Sequence, residues 1–293
     1  MLLSLDLHRA TSCERYDLLL DRCPGIVEHL PHRPYPQPWA ILECYYDETT
    51  SYSINMRRNE SGSSVRALTG SREGLLRSEI MEKTKMSGGS LTKIMENLER
   101  CDFIETYARY KSSVRNTLYR INDPYTLFYF KFLHNKNTKD EHWWTNNMHS
   151  HSVESWQGFS FETICMIHLE QIKRKLGISG ISTTTSSWRK LGNDEDKGTQ
   201  IDLVIDRADR IINLCEMKFS EGPYTITKDY EYKLRNRMTI FREETKTNKS
   251  LVTTLVTTYG VLHGIPSGIV QSEVVMDDLF NMDLVRAHLS SAT

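Results

Sequence analysis

The chain has 293 residues, 39% of them hydrophobic, and a formal net charge of −1. At about 100–200 residues per domain this length favours two domains, and the near-zero charge excludes nucleic-acid binding through a general positive field, so such binding needs a local basic surface. No apolar run reaches the roughly 18–20 residues of a membrane-spanning helix, and the 6 cysteines show no zinc-binding spacing. We therefore expect a cytoplasmic chain with no membrane partner and no structural disulfides.

Residues 1–70 differ in composition from the rest of the chain. Five of the 8 prolines lie between positions 24 and 38, and SYSINMRRNESGSS (residues 51–64) has the composition of a linker. Helix and strand signals disagree there, which argues against a cooperative fold. We expect a poorly ordered segment or the truncated remnant of a larger domain. The alternative is an extension that packs on the next domain.

Residues 71–134 show the element order of a winged helix-turn-helix. Apolar residues at helical spacing predict two helices on either side of a glycine-containing turn. Two strand-like runs then predict a hairpin, and an aromatic helix follows. These elements are expected at residues 75–84, 90–100, 103–110, 116–121 and 124–133.

The second of these helices carries candidate DNA-binding residues. Lys93, Asn97 and Arg100 lie on its polar side, while Lys111 and Arg115 lie in the turn of the hairpin. Such a helix enters the major groove of DNA, and cations on the hairpin contact phosphates, which fix the register of the protein. DNA is therefore the expected partner. The alternative is a winged helix that serves as a spacer and docks on another protein.

Residues 135–157 are polar and aromatic, and they predict a connector between two domains. Their histidines and tryptophans invite a metal interpretation, but the spacing matches no zinc-ligand pattern. A packed connector is therefore favoured. The residues concerned are His142, Trp143, Trp144, His149 and His151.

Residues 158–284 alternate between helical and strand-like patterns, which predicts an α/β domain with a mixed sheet. Helices are expected at 161–176, ended by Gly177, and at 228–244. Strands are expected at 183–190, 200–205, 211–219, 251–262 and 269–276, with a charged loop at 192–198.

The hairpin of residues 200–205 and 211–219 brings charged side chains together. If residues 206–210 form a five-residue loop, Asp202 lies opposite Leu214, and side-chain alternation puts Asp202, Glu216 and Lys218 on one face. Glu216 is then the diagonal neighbour of Asp202, about 7–8 Å away. The opposite face, which includes Ile201, is apolar and predicts a helix cover.

Two carboxylates and a lysine on so apolar a hairpin are costly to bury without a function. Carboxylate oxygens of Asp202 and Glu216 suit Mg²⁺ or Mn²⁺, which polarises a phosphate and lowers the pKa of an attacking water. Lys218 is placed to orient that water and to stabilise the charge that develops. The pattern therefore predicts metal-dependent hydrolysis of a phosphodiester.

An Asp followed by Glu-x-Lys on the next strand, here Asp202, Glu216 and Lys218, resembles the PD-(D/E)xK nuclease superfamily. More narrowly, a winged helix followed by GTQIDLVIDRADRIINLCEMKF and by the helix YEYKLRNRMTIF resembles the C-terminal region of archaeal-type AAA ATPases, over residues 72–280. The resemblance implies that Asp202 and Glu216 hold the metal and that Glu162, in the preceding helix, is the leading acid of the site. The alternative for Glu162 is an acid on an exposed helix face.

Two departures from the family pattern bear on function. Ile201 stands where the name-giving motif has proline, a variation common in the superfamily. The chain contains no Gly-Lys dipeptide, so it has no phosphate loop and no ATP site is expected. An ATPase partner or a missing ATPase half is therefore implied. Lys233 and Arg237 on the following helix are expected to contact DNA; the alternative is a solvated helix face.

These patterns leave two functions open. The first is a metal-dependent DNA endonuclease that a winged helix delivers to DNA. The second is a non-catalytic DNA-binding or regulatory C-terminal fragment of an AAA-type ATP-binding protein. The intact set of Asp202, Glu216 and Lys218 favours the first, and the missing ATP site favours the second.

Overall fold

The computed structural model describes residues 61–71, 73–100, 103–112, 116–133, 142–192 and 198–280. The chain divides into two compact units. The first comprises Met1–Thr106 and Leu118–Lys139, and the second comprises Tyr107–Thr117 and Asp140–Thr293. The described residues form helices and a mixed sheet, which confirms the expected α/β class. No described helix combines the length and the apolar character that crossing a membrane requires.

In the first unit, helices pack with a small three-stranded sheet. The elements are α1 (Ser61–Thr69), β1 (Leu75–Leu76), α2 (Arg77–Thr84), α3 (Gly88–Arg100), β2 (Ile104–Tyr107), β3 (Leu118–Ile121), α4 (Pro124–Phe128) and a π-helical turn (Tyr129–Leu133). Strand β3 lies between β1 and β2. The core contains apolar side chains of helices and strands alike, among them Ile80, Leu91, Ile94, Ile104 and Leu118.

Helix α1 lies within the stretch that was expected to be poorly ordered. Val65 and Leu68 are buried and stand one helical turn apart, so the segment has an apolar face that its serine-rich sequence obscures. The predicted linker over residues 51–64 is therefore wrong for residues 61–64. The rest of the prediction for residues 1–70 falls mostly outside the described residues.

The second unit is built on a five-stranded mixed sheet. Its helices are α5 (Trp143–Asn147), α6 (His151–Ile167), α7 (Leu169–Lys175), α8 (Lys228–Thr245) and α9 (Met276–Leu279). Its strands are β4 (Thr183–Lys190), β5 (Thr199–Arg207), β6 (Ile211–Lys218), β7 (Tyr224–Thr225), β8 (Ser250–Thr257), β9 (Val261–Leu262) and β10 (Ser272–Val275), with a 3-10 turn at Ile265–Ile269. The large sheet has the order β10-β8-β6-β5-β4. Its β4–β5 and β5–β6 pairs are antiparallel, and its β6–β8 and β8–β10 pairs are parallel.

Helix α6 begins at His151, well before the predicted start at residue 161, so the predicted connector over residues 135–157 is wrong at its C-terminal end. The Ser150 side chain accepts a hydrogen bond from the Val153 N–H at 3.4 Å, and Val153 and Trp156 are buried. The ring centroids of Trp144 and Trp156 lie 6.2 Å apart. The aromatic residues of this segment therefore contribute to packing.

Helices α6 and α8 cover opposite faces of the large sheet. Leu214 of β6 is buried in one cluster with Phe241 of α8. Cys215, the next residue of β6, interacts with Cys165 of α6. Successive side chains of a strand point to opposite faces, so the sheet lies between the two helices.

The hairpin of β5 and β6 has a shorter loop than predicted. Strand β5 ends at Arg207 and β6 begins at Ile211, and Arg210 in the loop has a φ of 67°, the left-handed conformation typical of three-residue hairpin loops. Val204 pairs with Leu214, so the predicted pairing of Asp202 with Leu214 is wrong by two residues. A shift of two residues does not by itself move a side chain to the other face of the sheet.

A β-bulge interrupts β5 at Asp202. Ser186 of β4 pairs with Val204, whereas Trp188 pairs with Ile201, so two residues of β5 lie opposite one residue of β4. A bulge of this kind reverses the alternation of side chains. Ile201 accordingly packs in the same cluster as Val204, and its predicted position on the opposite face is wrong.

Candidate active site

The candidate active site lies where β5 and β6 end their pairing. The last pair of the ladder is Leu203 with Cys215. Beyond it, the backbone N–H of Met217 donates to Oδ2 of Asp202 at 3.3 Å. The Asp202 carboxylate thus accepts the bond that a strand carbonyl would otherwise accept, and this holds its side chain between the two strands.

Glu216 of β6 is buried and has three partners. The Lys218 Nζ lies 2.7 Å from its Oε1, the Tyr230 hydroxyl donates to the same oxygen at 2.9 Å, and Arg237 pairs with Oε2. Burial alone would raise the pKa of Glu216, but the charges of Lys218 and Arg237 hold it below its usual value. Glu216 is therefore ionised, and both of its oxygens are engaged.

Lys218 lies two residues after Glu216 on the same strand, with a side chain that is 28% exposed. Burial lowers its pKa, but the charges of Glu216 and Asp202 outweigh this and raise the pKa above the usual value. The ammonium group also lies 5.8 Å from the ring centroid of Tyr230. Lys218 is thus a permanent cation beside two carboxylates.

Asp202 differs from Glu216 in the direction of its pKa shift. Burial, followed by the charges of Glu216 and Glu162, raises its pKa to about 7, against the opposing effect of Lys218. The Gln200 side-chain amide lies 3.4 Å from its Oδ1. Near neutral pH, Asp202 is therefore poised to take up either a proton or a cation.

Glu162 comes to the site from α6. It is buried, with 7% of the residue exposed, and its charge acts on Asp202. The alternative of an acid on an exposed helix face is therefore wrong. The structure brings together all four residues predicted for catalysis.

Two residues of α8 complete the cluster, and neither was predicted to belong to it. Arg237 was expected on a DNA-contacting face, but both Tyr230 and Arg237 bind Glu216. Burial and then the charge of Glu216 raise the pKa of Tyr230, so its hydroxyl stays protonated and donates. The helical spacing could have predicted that both residues face the sheet, because Tyr230, Leu234, Arg237 and Phe241 lie along one stripe of α8. Leu234 and Phe241 of this stripe are buried.

The remaining DNA-binding candidates lie in different surroundings. On α3, Lys93, Asn97 and Arg100 are exposed, and Lys233 is exposed on α8. Two acids, Glu96 and Glu99, are exposed on α3 as well. The face of α3 therefore carries both signs of charge.

Lys111 has a partner within the second unit. Its Nζ donates to the carbonyl oxygen of Thr245 at 3.1 Å, at the last residue of α8, where the helix dipole favours a cation. This contact differs from the predicted role of Lys111 as a phosphate contact. Arg115 lies outside the described residues.

The acids of the site fit a divalent cation in chemistry, although their present partners are cations. In the described part of the chain, no three histidine, cysteine, aspartate or glutamate side chains are arranged to hold a metal ion. Asp202, Glu216 and Glu162 nevertheless supply hard oxygen atoms of the kind that Mg²⁺ and Mn²⁺ prefer. Burial, followed by the charges of Glu216 and Glu162, raises the pKa of Asp202, and a cation bound beside it would favour its ionised form.

Comparisons with protein-family models, with curated proteins and with solved structures find no match to this chain.

Proposed function

We propose that this protein is a Mg²⁺- or Mn²⁺-dependent DNA endonuclease. In this proposal the second unit is a PD-(D/E)xK nuclease-like domain and the first unit is a winged helix-turn-helix, as in the C-terminal region of archaeal-type AAA ATPases. The observation that carries the proposal is the cluster of Asp202, Glu216, Lys218 and Glu162 where β5 and β6 separate. A buried group of titratable residues with shifted pKa values favours a functional site over a structural one.

The order of elements around the cluster supports the nuclease interpretation. A helix that carries Glu162 precedes three antiparallel strands, and α8 then leads to the parallel strand β8. This is the order of acids, strands and basic helix that the resemblance implies.

Each residue of the cluster has a chemical role in the proposed reaction. Asp202 and Glu216 would hold the cation, with Glu162 adding negative charge beside them. A bound Mg²⁺ or Mn²⁺ polarises the phosphate and makes water a better nucleophile. The Lys218 ammonium, held by Glu216 and Asp202, stabilises negative charge at the reacting phosphate.

The first unit supports a role in DNA binding. Its order of helix, strand, two helices and two strands (α1, β1, α2, α3, β2, β3) is that of a winged helix-turn-helix. The second helix of the helix-turn-helix, α3, exposes Lys93, Asn97 and Arg100. Cations on this helix would contact phosphates and place DNA on the protein.

A plasmid-cleavage assay with the full chain in Mg²⁺ or Mn²⁺ tests the proposal. Lys218→Ala should slow cleavage by about 10²–10³-fold, the effect of removing one charge-stabilising group. The matched control is Lys228→Ala, which removes an exposed lysine from the first residue of α8 and should cleave like the wild type. Equal cleavage by Lys218→Ala and wild type would show that the activity does not come from this site.

One observation favours the non-catalytic alternative. Glu216 has both oxygens engaged by side chains of its own chain, an arrangement that also suits a permanent structural ion pair. In that case the protein would bind DNA as a regulatory partner of an ATPase. The wild type would then bind plasmid DNA without cutting it in either metal.

A further inference from the structure

The two oxygens of Glu216 differ in how they are held. Oε1 accepts from Lys218, at 2.7 Å, and from Tyr230, at 2.9 Å. Oε2 pairs with the guanidinium of Arg237. Removing Arg237 would therefore free one oxygen of Glu216 and leave the other one still bound.

Arg237 is also able to move away from Glu216. Lys218 is tied to Glu216 through the backbone of β6, two residues along the same strand. Arg237 instead reaches the carboxylate from α8 through a long side chain, which is 23% exposed. Its guanidinium group can therefore swing towards solvent without a change in the sheet.

The charges of the cluster explain what would drive such a movement. Asp202 and Glu216 interact with two cations, Lys218 and Arg237, so the charges of these four groups balance when both acids are ionised. A divalent cation bound by these acids would turn that balance into an excess of positive charge, and like charges close together repel. Pairing of Arg237 with an anionic group would remove that excess.

Phosphate suits this role because a guanidinium group binds phosphate oxygens through two parallel N–H bonds. Lys233, one turn earlier on α8, is exposed and adds a second positive charge to this helix. A nucleic-acid backbone supplies the anionic group.

We propose that Arg237 is an exchangeable cation of the site, which neutralises Glu216 in the free protein and moves to a backbone phosphate when a divalent cation and DNA bind. This inference rests on the proposed function. It adds that metal binding and DNA binding are coupled through one side chain. Arg237 would then compete with the metal for Glu216 in the free protein and would strengthen DNA binding in the complex with metal and DNA.

The test compares Arg237→Ala with Arg235→Ala in the full chain. Arg235 lies on the same helix, is 59% exposed and pairs with Glu231, so it is the matched control. Mn²⁺ binding without DNA is measured by titration of free Mn²⁺ with electron paramagnetic resonance. Binding of a DNA duplex is measured in Ca²⁺ by fluorescence anisotropy.

Arg237→Ala should bind Mn²⁺ about tenfold more tightly than the wild type and bind the duplex about tenfold more weakly, within the usual range of coupling between two ligands. Arg235→Ala should change neither. If Arg237 had only a structural role, the substitution would disturb Glu216 and would therefore lower the affinity for Mn²⁺. Unchanged or weaker Mn²⁺ binding therefore overturns the proposal.

A second variant keeps the test decisive if Arg237→Ala does not fold. Arg237→Lys retains the charge and loses the paired N–H donors, so it should keep the Mn²⁺ affinity of the wild type while DNA binding stays weak. If this variant binds DNA as tightly as the wild type, the proposed contact between Arg237 and a phosphate is wrong.

The two proposals fail in different ways. If the wild type binds Mn²⁺ and cuts plasmid but Arg237→Ala does not tighten Mn²⁺ binding, the exchange alone is wrong. If Arg237→Ala tightens Mn²⁺ binding and no variant or wild type cuts DNA, the nuclease function alone is wrong. If the wild type binds no Mn²⁺, both are wrong.

Discussion

Charged residues proposed to act on DNA occur in both units, but their surroundings differ. In the second unit, Glu216 is buried and bound by Lys218 and Arg237. In the first unit, Lys93 and Arg100 are exposed on α3. Buried charges act on one another strongly because little water screens them, whereas exposed charges are screened by water and salt.

The two units would therefore bind a phosphate in different ways. The buried cluster is organised before any ligand arrives, and its charges set one another's pKa values. Lys93 and Arg100 on α3 are exposed, so water and salt screen their charges. Changes in the second unit should therefore alter the stability of the free protein, while changes on α3 should alter DNA affinity alone.

The largest expected effect comes from Glu216→Gln. The substitution removes the carboxylate that pairs with both Lys218 and Arg237, and breaking a buried ion pair costs about 3–5 kcal/mol. We expect the free energy of unfolding to fall by about 3 kcal/mol in urea titrations. The control, Glu231→Gln, removes the partner of the exposed Arg235 and should cost less than about 1 kcal/mol. An equal loss of unfolding free energy in the two variants would show that the buried charges do not stabilise the protein more than the exposed ones.

A smaller effect of the opposite sign is expected from Asp202→Asn. Folding raises the pKa of Asp202 from 3.8 to about 7, so its contribution to stability is present at acid pH and is lost as the pH rises through this range. Asparagine cannot ionise, and the variant should therefore be more stable than the wild type at pH 8. That gain should shrink as the pH falls from 7 to 4. A gain that does not depend on pH would contradict the assigned cause.

The third prediction concerns affinity and not stability. Replacing both Lys93 and Arg100 by alanine should weaken DNA binding and lower the slope of log affinity against log salt by about 2, because each phosphate contact contributes about 0.9. Unfolding in urea should be unchanged. The control is Lys83→Ala, on the exposed side of α2. An unchanged salt slope in the double variant would indicate that α3 docks on a protein and not on DNA.

Local patterns predicted much of the second unit correctly because its strands and helices follow regular spacing. The predicted strand at residues 183–190 matches β4, and the predicted helix at 228–244 matches α8 to within one residue. The hairpin register was wrong, but the error of two residues preserved the parity of the strand. The grouping of Asp202 with Glu216 and Lys218 therefore did not depend on loop length.

Features that depend on distant parts of the chain could not be predicted in this way. The sequence of β5 alone does not predict the bulge at Asp202, because the bulge arises from the pairing of β5 with β4. Lys111 was assigned to DNA from its charge, but its partner is the end of α8, far along the sequence. Arg237 is the exception, because its spacing from Leu234 and Phe241 already places it on the buried stripe of its helix.

The acids of the second unit are proposed to form a divalent-cation site, and a measurement of Mn²⁺ binding tests this proposal most directly. Asp202→Asn is compared with the wild type and with Asp206→Asn, an acid of the same strand that pairs with Lys249 and accepts from Tyr110. We expect the wild type and Asp206→Asn to bind Mn²⁺ alike and Asp202→Asn to bind it at least about tenfold more weakly, a typical effect of altering a metal site. Absence of Mn²⁺ binding by the wild type, or equal binding by Asp202→Asn, would contradict the proposal.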